Sequence, residues 1–199
     1  MNTYAAIPQD KKGAAFDRLQ QYLDDHHLLM TEDEELRQFE AAYSMLAHDL
    51  PELDLNSEQI KAIAYSKTFD MDNYVLFDDT MTTLEALKGK YKLGVISDTW
   101  PSVERFLKHN GMDGYFDTKT FSCFLGTFKP DERMYRHALQ QMGLPPEQTV
   151  FVDDSVVNLD GAVKCGIQAV LIAAKPNAER TDKYPSIKNL SKLLALLPE

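Results

Sequence analysis

Thr149-Val150-Phe151-Val152-Asp153-Asp154-Ser155 decides how this chain is read. An apolar, β-prone run stops at two adjacent carboxylates, and a helix-like segment follows. Strands of a parallel sheet are buried on both faces and read as continuous apolar runs. Open α/β sheets place their ligands just beyond the carboxyl ends of such strands. Two neighbouring carboxylates repel each other unless a cation, a lysine or a shared proton intervenes. The stretch asks for a metal ion, and the other parts of a metal site belong at the ends of neighbouring strands.

Upstream, Tyr91-Lys92-Leu93-Gly94-Val95-Ile96 reads as a second buried strand, ending at Ser97-Asp98-Thr99. Pro101 suits the first turn of the next helix, which runs to about Asn110, and Ser97, Asp98 and Thr99 are each able to cap it. Thr120 to Phe124 reads as a third strand, followed by the loop Gly126-Thr127-Phe128-Lys129-Pro130-Asp131. Asp131 is a natural N-cap for a helix reaching Gln141. Beyond Ser155 come a helix around Val157–Lys164, a stop at Gly166, a strand from Ile167 to Ile172 and a last helix, Ser186 to Leu197. Strands alternating with helices of about ten residues imply an α/β fold with a parallel sheet covered on both faces.

The first third is different. Thr3 to Ile7 fits a brief strand, but from Asp10 to about Leu28 the residues Ala15, Phe16, Leu19, Tyr22 and Leu23 recur at helical spacing. Thr31-Glu32-Asp33-Glu34 is a capping box. It opens a helix whose Leu36, Phe39, Ala42, Tyr43 and Leu46 share a face. Pro51 ends that helix, and another runs from Ser57 to about Lys67. The expected division is an N-terminal segment (1–9), a helical module (10–75) and an α/β core (76–199).

The chain has 199 residues, a net charge of -10, 44% hydrophobic and 26% charged residues. These describe an ordinary globular protein with a sizeable core. The acidic balance argues against nucleic acid or an anionic membrane as partner. Two cysteines at long spacing, Cys123 and Cys165, exclude a thiolate metal site and fit a reducing compartment. With no signal-like start and no membrane-length apolar run, the expectation is a cytoplasmic protein.

Ser97, Lys129 and the Asp153-Asp154 pair thus stand at successive strand ends or loops. This order resembles the haloacid dehalogenase-like (HAD) hydrolases, chiefly Mg-dependent phosphatases. Val95-Ile96-Ser97-Asp98 resembles their second motif, and Gly126-Thr127-Phe128-Lys129-Pro130-Asp131 their third. Phe151-Val152-Asp153-Asp154-Ser155, with Asn158 and Gly161-Ala162 downstream, resembles their fourth. The resemblance implies a three-layer Rossmann-like parallel sheet with an inserted α-helical cap, the cap being the 10–75 module. It implies substrate binding by Ser97, Asp98 and Lys129, charge compensation by Lys129, and Mg²⁺ held by Asp153 and Asp154. The implied partner is a small phosphorylated substrate or phosphate, and a homo-oligomer stays open. Carbon–halogen-cleaving relatives work without a metal and typically lack the acidic pair, so the pair favours phosphate. General chemistry agrees, since Mg²⁺ prefers carboxylate, phosphate and water oxygens and phosphoryl transfer rests on positioning and charge neutralisation.

The family's first motif, a strand ending in Asp-x-Asp whose first Asp is the nucleophile, has no counterpart before residue 67. Asp24-Asp25 lies in a helical pattern, and Asp70-Met71-Asp72 follows no strand. Val75-Leu76-Phe77-Asp78-Asp79-Thr80 comes closer, but it stands at the hinge after the helical module, where Thr80 reads as an N-cap. Either the chain starts downstream of the nucleophile strand, or it keeps a metal and anion pocket without turnover. As given, it is expected to be inactive or nearly so. Its sheet would lack the first strand, and three outcomes stay open: Thr3 to Ile7 fills the place, a partner chain covers it, or the sheet is rearranged. Of the histidines, only His26-His27 are adjacent, and adjacent helical side chains point apart. Trp100 reads as packing.

Overall fold

The computed structural model describes residues 3–198, and its first third is helical: α1 (Thr3–Ala6), α2 (Gln9–Asp25), α3 (Glu32–Asp49) and α4 (Ser57–Phe69). Thr31 starts α3 through the expected capping box. Its hydroxyl oxygen accepts the Glu34 N–H at 3.3 Å, and Glu34 Oε2 accepts the Thr31 N–H at 3.0 Å. Asn56 and Gln59 make a second box at the start of α4. The amphipathic faces meet in two clusters, one of Leu23, Phe39, Ala42 and Ala64, the other of Ile7, Ala15, Leu46 and Leu50. The strand expected at Thr3–Ile7 is instead the short helix α1. Ile7 is buried in the helical module, so this segment completes no sheet.

The remainder alternates as expected, with shifted ends. α5 (Thr80–Leu87) has Asp79, not Thr80, at its N-cap position. β1 (Gly94–Ser97) begins late. A Cβ on Gly94 would lie 2.6 Å from Thr118 Oγ1, so a glycine is needed where the two strands first close up. α6 (Val103–His109) follows, its N-cap position held by Ser102 rather than by Ser97, Asp98 or Thr99. β2 (Thr118–Phe121) is shorter than the expected Thr120–Phe124 strand, because the chain turns into α7 (Ser122–Leu125). The buried Ser122 hydroxyl causes that departure: it accepts the Thr99 N–H at 2.7 Å and donates to the Thr99 carbonyl at 3.1 Å. α8 (Glu132–Met142) starts on Asp131, whose carboxylate accepts the Arg133 N–H at 2.9 Å. It ends on Gly143, at φ +65°, a conformation glycine adopts without a Cβ clash.

Next come β3 (Val150–Asp153), α9 (Val156–Lys164), β4 (Gln168–Ile172) and β5 (Ser186–Ile187), and a 3₁₀ segment at Leu190–Ala195. The helix expected over Ser186–Leu197 is therefore divided. Ser186 and Ile187 pair with Leu171 and Ile172, because the free edge of β4 offers ladder hydrogen bonds that outweigh local helix preference.

All pairings are parallel: β1 with β2, and separately β3-β4-β5. The layering is that of a three-layer sheet. Val95 packs with Leu84 and Leu107, whereas Ile96 faces Tyr135 and Leu139. Leu171 packs on Leu159 of α9, and Val170 on Leu193 from the opposite side. The buried ring of Tyr135 in α8 lies in one cluster with Ile96 of β1 and Phe151 of β3. The two half-sheets thus stand side by side under α8. No ladder bond joins β1 to β3, and Val95, Ile96, Phe151 and Val152 keep partial solvent contact. Central strands of a parallel sheet are normally covered.

Candidate active site

Lys129 ties the two half-sheets together at their carboxyl ends. Its Nζ donates to Asp153 Oδ2 at 2.8 Å and to the Ile96 carbonyl at 3.5 Å, one residue before Ser97. The lysine and aspartate side chains are 10% and 7% exposed. A buried ion pair persists only where further hydrogen bonds satisfy both partners. Asp153 meets that condition, because Oδ1 accepts the Ser155 N–H at 2.9 Å and Asn158 Nδ2 at 3.1 Å. Asn158 is itself anchored, since its carbonyl accepts the Tyr135 hydroxyl at 2.7 Å.

Asp98 joins the same group from β1. Its Oδ1 accepts the Lys129 backbone N–H at 2.9 Å, so it fixes the loop that aims the lysine. Partial desolvation raises the Asp98 carboxyl above its ordinary range. The Lys129 amide and ammonium oppose that rise, and the Asp153 charge adds to it. Ser97 ends β1, half-buried, and no hydrogen bond of its hydroxyl to another described residue is formed.

Asp154 differs from its neighbour. It is 53% exposed and pairs through Oδ2 with Lys175 Nζ at 2.9 Å. The two acids therefore divide their work: Asp153 faces inward and is spoken for, while Asp154 faces solvent with a loosely held partner. An exposed pair of this kind contributes little energy and is easily displaced. Among the described residues no three His, Cys, Asp or Glu side chains form a ready-made metal cage. The donor set nevertheless fits Mg²⁺, which is commonly held by one or two carboxylates plus substrate and water oxygens.

Of the five sequence-derived candidates, Ser97, Asp98, Asp153 and Asp154 stand at or just past the ends of β1 and β3, and Lys129 reaches both from the loop after α7. Asp78 does not join them. It is exposed on the turn before α5, and no bond links it to Lys129, Asp153 or Asp154. Lys175 and the positioning bonds of Asn158 went unassigned in the sequence; Lys175 lies 21 residues beyond its partner in a loop with no periodic pattern. His27, which the sequence marks only as one of an adjacent pair, lies close by. Its Nε2 lies 2.7 Å from Ser122 Oγ, and its ring stacks on Phe128, next to Lys129, at 4.1 Å. His26 points elsewhere, onto Tyr22, so the two histidines share no ligand.

A family model described as haloacid dehalogenase-like hydrolase matches residues 5–166. The GMP/IMP nucleotidase YrfG of Escherichia coli is 31% identical over 152 residues, 73% of this chain and 68% of that protein. Among solved structures, a HAD phosphatase from Thermococcus onnurineus superposes with TM-score 0.63 at 22% identity, covering 97% of this chain and 82% of the other. A 2-haloacid dehalogenase from Pseudomonas syringae does so with 0.64 at 21%, covering 96% and 80%. The two structural likenesses establish the fold alone and do not choose between the two chemistries. No helix among the described residues is long and apolar enough to cross a membrane. The chain belongs to the haloacid dehalogenase-like hydrolases.

Proposed function

We propose that this chain carries the metal- and phosphate-holding half of an Mg²⁺-dependent phosphomonoesterase site for a small phosphorylated metabolite. The observation that carries the proposal is the buried Lys129–Asp153 pair, with exposed Asp154 beside it and Ser97 next to Ile96, whose carbonyl the lysine reaches. In this reading Asp154 and Asp153 are the residues that would hold the ion. Mg²⁺ would supply neutralisation of phosphate charge and orientation of its oxygens. Lys129 offsets charge on Asp153 and on the phosphate, and the Ser97 hydroxyl hydrogen-bonds a phosphate oxygen. The relative that acts on GMP and IMP makes 5′-nucleotides the first substrates to try. The 10–75 module serves as the cap over the site.

The attacking carboxylate is the missing part: among the described residues no acid stands free beside Lys129. A second reading, a non-catalytic metal- and anion-binding protein on the same scaffold, is favoured by that gap between β1 and β3. One experiment separates the two. Hydrolysis of phosphomonoesters, GMP and IMP included, is measured with Mg²⁺ for this chain and for a version extended by any in-frame upstream codons. The enzyme reading expects activity only in an extension that supplies a strand ending in Asp-x-Asp, and a loss of at least about 100-fold in its Asp154→Asn form. Absence of such an upstream strand favours the binding reading. Full activity in Asp154→Asn sinks the metal role.

A further inference from the structure

His27 follows α2, where the helical module meets the loops that carry Ser97 and Lys129. The connector it belongs to is fixed on α7 and the glycine after it. The Leu29 N–H donates to the Cys123 carbonyl at 2.9 Å, and a Cβ on Gly126 would lie 3.4 Å from Leu28 Cβ. The His27 imidazole is 2% exposed and stands between Phe128, stacked at 4.1 Å, and Trp100, met edge-on at 5.3 Å. Its Nε2 lies 2.7 Å from the hydroxyl oxygen of the fully buried Ser122. That hydroxyl gives its one proton to the Thr99 carbonyl at 3.1 Å and accepts the Thr99 N–H at 2.7 Å. It can accept one bond more, so the contact with Nε2 is a donation by the ring. Nδ1 is buried and has no hydrogen-bond partner among the described residues. Among those residues, then, the ring's one polar tie is to Ser122.

These contacts close a circuit. From His27 one branch runs through Ser122 to Thr99, just past Ser97, and the other runs through Phe128 to Lys129. Asp98 joins the branches, because its carboxylate accepts the Lys129 N–H at 2.9 Å. We propose that His27 is a positioning residue: from the helical module it holds the Ser97–Thr99 turn and the Lys129 loop at a fixed spacing. A hydrogen bond does this on one side and a ring stack on the other. The bond fixes the direction in which the Ser122 hydroxyl points, and the stack fixes how closely Phe128 approaches. Without the ring, Ser122 loses a buried partner, and the space left beside the Thr99 bonds is polar enough on one wall to admit water. The Ser97 hydroxyl and the Lys129 ammonium would then no longer be held to one geometry, and a site with a loosened supporting shell binds its ligand less well. That last consequence rests on the phosphate reading; the positioning itself does not.

Amide hydrogen exchange reads the positioning without any ligand. It is followed at the Thr99 and Lys129 N–H groups in the wild type, His27→Ala, His27→Gln and His27→Phe. The Leu171 N–H, bonded to the Pro185 carbonyl at 2.9 Å, serves as internal reference. His27→Ala is expected to speed exchange at Thr99 and Lys129 by at least about 5-fold, the scale of one buried hydrogen bond, while Leu171 keeps its rate. His27→Gln keeps a donor without a ring, so Thr99 stays protected and Lys129 exchanges faster. His27→Phe keeps a ring without a donor and does the reverse. Long-range nitrogen–proton NMR correlations of the wild-type ring should find the proton on Nε2. In titrations with inorganic phosphate and Mg²⁺, His27→Ala should bind at least about 5-fold more weakly than the wild type. A wild type that binds no phosphate overturns the phosphate reading, and exchange alone then decides the positioning. Unchanged exchange at Thr99 and Lys129 in His27→Ala, an equal rise at Leu171, or a bare Nε2 overturns the proposal. So does phosphate affinity unchanged in His27→Ala where the wild type binds. If the Gln and Phe variants behave alike, His27 merely fills space and the proposal falls; their split decides it should His27→Ala fail to fold.

Discussion

At the scale of single residues, the site is a problem in placing negative charge. Asp98, Asp153 and Asp154 crowd two strand ends, and Lys129 is the buried cation that makes the crowding tolerable. Its backbone N–H goes to one acid and its ammonium to another, so one residue positions and neutralises together. Removing one partner of a buried pair strands the other charge. Lys129→Ala is accordingly expected to lower the unfolding free energy by about 3 kcal/mol in urea denaturation. Lys129→Ala/Asp153→Asn should recover much of that loss, because the stranded charge is gone. A single-variant loss below about 0.5 kcal/mol, the range of exposed pairs, would show that the lysine carries no such burden. The aspartates were legible in the sequence because each follows an apolar strand, whereas Lys129, in the loop after α7, was legible only through the motif it belongs to. Lys175 was not, because its partner lies 21 positions away and only the fold makes them neighbours.

At the scale of elements, local signals succeeded wherever a segment's own chemistry settles its shape. Thr31 and Glu34 close their capping box, and Asp131 and Gly143 bracket α8 as their residue types require. Thr31→Ala should cost about 1 kcal/mol. Thermal or urea unfolding checks it, and an effect below about 0.3 kcal/mol would deny the box its part in fixing α3. Local signals failed wherever a distant group took over. Ser122 leaves β2 because the Thr99 backbone engages its hydroxyl, and Ile187 pairs with an exposed strand edge despite the Leu-rich sequence after it. Thr3–Ile7 has β-prone residues, but Ile7 finds burial in the helical module instead.

At the scale of the whole molecule, the chain is two parallel half-sheets bridged by α8 above and Lys129 at one end. The alternation of strands and helices made the α/β class legible. The division into two sheets was foreshadowed only by a missing motif, because ladder pairing is a property of neighbours, not of any one segment. The gap explains why β1 and β3, apolar as central strands should be, keep partial exposure while β4 is buried. It also divides the proposed chemistry: charge compensation and metal binding lie in this chain, and the attacking group does not stand among its described residues.

The central claim is that Asp153, Asp154, Lys129 and Ser97 form one site for Mg²⁺ and phosphate together. Titration calorimetry with inorganic phosphate, with and without millimolar Mg²⁺, tests it most directly. The wild type should bind phosphate at least about 10-fold more tightly with Mg²⁺ present, a coupling of about 1.4 kcal/mol, and Asp154→Asn should abolish that difference. Phosphate binding indifferent to Mg²⁺, or a coupling that survives intact in Asp154→Asn, would contradict it.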